Sequence, residues 1–66
     1  MIEPKERPTV TLIGEDGNAF AILGKVRKAL QKAGADQEYI TQYEKEAMAG
    51  DYNNLLCVTM RYVEVE

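Results

Sequence analysis

Three residues with short polar side chains, each set just after a glycine or alanine break, divide this chain before any other property is considered. Asn18 follows "GEDG", Asp36 follows "AGA" and Asp51 follows Gly50. Each can accept a hydrogen bond from the free amides in the first turn of a helix that starts one residue later. The first helix is predicted from about Ala19 to Ala33. At roughly 100° per residue, Ala19, Ile22, Leu23, Val26, Ala29, Leu30 and Ala33 share its apolar face, with Phe20 and Arg27 at the edge. Gly34 supplies the left-handed residue that ends many helices.

The second helix is predicted from Gln37 to about Ala49, with Tyr39, Ile40, Tyr43 and Ala47 inward, Met48 at the edge and Gly50 ending it. The third starts at Tyr52 and carries Tyr52, Leu55, Leu56, Val58, Thr59, Met60, Tyr62 and Val63 around an arc wide enough to imply burial on more than one side. Before the first helix, the β-branched run "TVTLI" reads as a strand. After the third, "YVEVE" alternates with a period of two, so a strand takes over near Arg61 or Tyr62. The expected fold is therefore α+β, a single domain over 9–66 in the order β-α-α-α-β. The proline- and charge-bearing segment 1–8 reads as a flexible arm.

A chain of 66 residues buries only about 60% of its unfolded surface and is usually helped by a cross-link, a metal or a partner. Cys57 is the sole cysteine, which rules out an internal disulfide. Two strands alone are marginal in water and leave both sheet edges open. Self-association is the expected remedy, a homodimer that shares a sheet at a strand edge or packs the third helix, with Tyr52, Leu56, Met60, Tyr62 and Val63, against a second copy.

The chain has no histidine, serine or tryptophan. Zinc sites built on imidazole are excluded, as are Ser–His and Cys–His nucleophile pairs. No metal and no cofactor is expected, and the chain is not expected to be an enzyme. The strand–glycine–helix order of "VTLIGEDGNAFAILGKV" suggests a phosphate loop, but the register is wrong: Gly24–Lys25 falls inside the helix and is followed by Val26. Gly14 and Gly17 do not make a dinucleotide fingerprint, and the charges of Glu15 and Asp16 would repel a phosphate. Glu15, Asp16 and Asn18 also lack the alternating ligand spacing and distant glutamate of a calcium loop. Cys57 has only Arg61, four residues on, as a cationic neighbour and reads as a plain thiol.

Two surfaces remain as contact candidates. One is the acidic turn Glu15, Asp16 and Asn18. The other is the basic face of the first helix, Lys25, Arg27, Lys28 and Lys32, able to meet nucleic-acid phosphates. The second helix carries Glu38, Glu44 and Glu46 and the third only Arg61, so neither reads as a DNA recognition helix. The net charge of −3 argues against bulk attraction to polyanions. The four tyrosines, Tyr39, Tyr43, Tyr52 and Tyr62, fall on apolar faces and suit a core margin or subunit interface. No segment has the apolar length of a membrane span or a signal peptide, which places the chain in the cytoplasm as an expectation.

The segments "GEDGNAFAILGKVRKALQKAG" and "AMAGDYNNLLCVTMRYVEVE" resemble a group of short uncharacterised proteins of bacteria and their phages. The likeness covers nearly all of 10–66. It implies a bacterial or phage origin and a compact α+β unit, and it carries no catalytic residue onto this chain. The expected function is that of a small non-enzymatic, self-associating protein-interaction module with a protein partner. The alternative is a nucleic-acid-associated accessory protein using the basic helix face.

Overall fold

In a computed structural model, which describes residues 1–12 and 18–66, the three caps act as the sequence implies. Asn18 Oδ1 accepts from the Ala21 amide at 3.1 Å and opens α1, Ala19–Lys32. Asp36 Oδ1 accepts from the Tyr39 amide at 2.9 Å and opens α2, Gln37–Ala47. That amide is the main reason the Asp36 carboxyl is held below its ordinary pKa. Asp51 Oδ1 accepts from the Asn54 amide at 3.0 Å and opens α3, Tyr52–Tyr62. With β1, Thr9–Val10, and β2, Glu64–Val65, the order is β-α-α-α-β and the class α+β. Ile13, the last residue of the expected first strand, lies outside the described residues.

Gly34 ends α1 with φ +99°. Its amide donates to Gln31 O at 3.1 Å, and the Ala35 amide donates back to Leu30 O at 3.0 Å. This pair of bonds is the Schellman closure. The end of α2 works differently, two residues earlier than expected. Asn54, on α3, sends Nδ2 back to Glu46 O and Ala47 O at 3.0 and 3.3 Å, so a neighbouring helix caps the open carbonyls. Gly50 makes room for that reach: a Cβ there would stand 2.9 Å from Asn54 Cβ.

The two strands pair in parallel, Thr9 beside Glu64 and Val10 beside Val65. The Glu64 amide donates to Pro8 O at 2.8 Å and the Glu66 amide to Val10 O at 3.0 Å. Parallel pairing needs a long crossover, which the three helices provide. The core gathers Ile22, Val26 and Leu30 from α1, Ile40, Tyr43 and Ala47 from α2, and Leu55 and Val58 from α3, closed by Val10 and Val63. Within it the Tyr43 and Thr59 hydroxyls share a buried hydrogen bond of 2.7 Å, so neither polar group is stranded. The buried arc of α3 is narrower than expected. Leu55, Val58 and Thr59 are buried, Tyr52, Leu56 and Tyr62 are half-buried, and Met60 is 51% exposed.

Residues 1–8 lie along the helical body. The Asp36 amide donates to Ile2 O at 3.1 Å and the Lys5 amide to Ala33 O at 2.9 Å. Arg7 reaches across to Met60 O and Val63 O, near the end of α3, and pairs with Glu64 at 3.4 Å.

Tyr39, Tyr43 and Tyr62 form an edge-to-face cluster between α2 and α3, with Tyr62 5.5 Å from Tyr39 and 5.1 Å from Tyr43. Burial is the main cause that raises all three phenol pKa values above 10.0. Because the folded values lie above the unfolded one, the stability tied to the neutral phenols is complete below pH 10 and is lost as pH rises further. An alkaline denaturation followed by circular dichroism should therefore begin above pH 10, and Tyr62→Phe should move its onset upward.

Candidate protein-interaction site

Phe20 is the second residue of α1, and its helical position puts it beside the apolar stripe instead of in it. It is 80% exposed, an uncommon state for a phenylalanine. Met48, just past the end of α2, is 61% exposed. Between them lies a groove of about 220 Å³ whose floor is Leu23, Ala47, Tyr52 and Leu55. Three helix ends build it: the start of α1, the end of α2 and the start of α3. Gly24, one turn after Phe20, has nothing within 4 Å of where a Cβ would stand, which keeps that flank of α1 open. A projecting aromatic, a projecting thioether and an apolar recess thus share one patch. Such a combination marks an interaction surface more often than an isolated exposed apolar residue does.

The residues expected to self-associate divide. Tyr52 joins the groove. Leu56 packs half-buried against the core, and Met60 stands exposed one turn beyond it on the same flank of α3. Tyr62 turns to the tyrosine cluster, where its hydroxyl donates to Glu46 Oε2 at 2.9 Å and accepts from Gln42 Nε2 at 3.3 Å. Val63 is 0% exposed and is spent in the chain's own core, so it offers nothing to a second copy. Periodicity places Phe20 and Met48 only at helix edges. The available signal was an aromatic off the apolar stripe of an otherwise well-patterned helix.

The acidic turn is represented only by Asn18, whose side chain caps α1; Glu15 and Asp16 lie outside the described residues. The basic face also divides. Lys25 donates to Thr11 O at 2.9 Å, and it lines a groove beside β1 with Lys28 and Lys32. Arg27 lies on the other flank of α1, two turns along from Phe20. Cys57 is exposed on α3. Among the described residues, no three of the His, Cys, Asp and Glu type gather as a metal-holding group. Among them, too, no helix is long and apolar enough to cross a membrane. Comparison with known protein families, curated proteins and solved structures finds no match to this chain.

Proposed function

We infer that this chain is a small, non-enzymatic protein-interaction module of the cytoplasm that self-associates through the Phe20–Met48 groove. One observation carries this reading: a phenylalanine that is 80% exposed stands at the rim of an apolar recess of about 220 Å³. The same patch carries both the projection and the recess, as a twofold interface between identical subunits requires. The recess is of a size to take one large apolar side chain. The small core and two-stranded sheet give the chain a reason to bury more surface.

The interface is modest. Each projecting Phe20 offers about 150 to 250 Å². Leu23, Ala47 and Leu55 of the floor are already buried in the monomer and add little. Two copies therefore bury well under about 1,000 Å², below the usual size for tight association. Association through so small an interface is weak, with an expected dissociation constant on the order of 100 µM to 1 mM, about −4 to −5.5 kcal/mol. Sedimentation equilibrium across that range should show a reversible monomer–dimer transition. A strictly monomeric mass at every concentration would overturn the reading.

A further inference from the structure

We propose that the trough between α1 and β1 binds the phosphodiester backbone of nucleic acid. Lys25, Lys28 and Lys32 fall within about 60° of the circumference of α1, rising about 4.5 and 6 Å from one to the next. They face β1 across a groove of about 390 Å³ whose other wall is Thr9, Val10 and Thr11. A second groove of about 600 Å³ continues past Lys32 and takes in Lys5 and Arg7. Thr9, Ala29 and Lys32 line both, so the two are one continuous trough. The main chain places Lys5 there, through its amide bond to Ala33 O.

The charge in this trough opposes that of the chain. Among the described residues, Lys5, Lys25, Lys28 and Lys32 line it against one acid, Glu6, while the whole chain carries −3. Arg7 is already engaged with Glu64 and two carbonyl oxygens and serves as the end wall, and the Lys25 ammonium is likewise engaged, with Thr11 O at 2.9 Å. Lys5, Lys28 and Lys32 are exposed. The α2 acids Glu38, Glu44 and Glu46, the β2 acid Glu64 and the following Glu66 line neither groove. A row of ammonium groups at helical spacing along a concave wall attracts successive phosphates and holds them as point charges. Among the described residues no aromatic side chain lines the trough, so bases gain no stacking there, and contacts made to phosphates alone carry no sequence information.

This site lies on the flank of α1 away from Phe20, so it stands or falls apart from self-association. Fluorescence anisotropy with a labelled oligothymidylate, an oligouridylate and a DNA duplex tests it, with salt varied from about 50 to 200 mM. For three to four phosphates held, the logarithm of affinity for the single strands should fall with the logarithm of salt with a slope of about −2 to −3. The relative affinities of the three probes identify the preferred backbone. Lys28→Glu combined with Lys32→Glu should weaken binding at least about tenfold and flatten the salt slope by one to two units. Arg27→Glu makes the same kind of charge change on the opposite flank and should alter affinity less than about twofold. Circular dichroism checks that each variant is folded. Binding to none of the three probes at the lowest salt, or an equal loss in Arg27→Glu, would overturn the proposal.

Discussion

Tyr43→Ala should leave the chain largely unfolded at room temperature. Tyr43 is 0% exposed and is the largest wholly buried side chain. Truncating a buried aromatic costs about 3 to 5 kcal/mol. The change also strands the Thr59 hydroxyl, whose 2.7 Å bond to Tyr43 is lost, for a further 1 to 3 kcal/mol, approximately. A chain of this length holds roughly 3 to 10 kcal/mol in all. The loss therefore takes most or all of its stability. Tyr43→Phe keeps the ring and removes only the hydroxyl, so it should cost about 1 to 3 kcal/mol and remain folded. Thermal melts followed by far-ultraviolet circular dichroism separate the two. A Tyr43→Ala melt within a few degrees of the parent would contradict the placement of Tyr43 at the centre of the core.

That Tyr43 faces inward from α2 was legible in the sequence, as was most of the helical frame. Its place at the centre of the core instead of the margin was not. Helix starts are set by local chemistry: Asn18, Asp36 and Asp51 accept bonds from amides three residues ahead, so a reader needs no distant partner to find them. The buried faces of α1 and α2 follow from spacing alone. What escaped depends on contacts between distant parts. The parallel pairing of β1 with β2 is decided by how three helices carry the chain back, which no two-residue strand encodes. The early end of α2 comes from Asn54 on the next helix. Met60 has the polarity of a core residue, and only the packing of α3 reveals that half of it is left uncovered.

The basic and apolar surfaces were half legible for the same reason. Periodicity put Lys25, Lys28 and Lys32 on one face, and set Arg27 and Phe20 apart at the apolar edge. That Lys5 completes the lysine row depends on where residues 1–8 lie against α1. That Phe20 stands at the rim of a groove depends on how three helix ends meet, a matter of tertiary geometry.

Phe20→Asp should abolish self-association while leaving the monomer as stable as before. In the proposed dimer each Phe20 enters the other copy's recess, and burying such a side chain is worth about 1.5 to 3 kcal/mol. Two are lost per dimer, and a carboxylate facing the apolar floor adds a desolvation cost. The dissociation constant should rise more than about a hundredfold, a change of some 3 to 6 kcal/mol. In the monomer the outcome has the opposite sign. The site is exposed and the first turn of α1 holds no acidic residue, so an aspartate there meets the positive end of the helix dipole. The melting temperature should stay level or rise slightly. A marked fall would mean that Phe20 supports the chain's own core.

The most direct test of self-association through this groove is a dilution series followed by amide nuclear magnetic resonance. As the protein is diluted from about ten times to a tenth of the expected dissociation constant, the amides of Ala19, Leu23, Ala47 and Leu55 should shift along smooth curves that share one constant. The amides of Lys28 and Thr41, which line other grooves, should stay still. Spectra unchanged on dilution, or shifts gathered on the lysine trough instead of the Phe20 groove, would contradict the account.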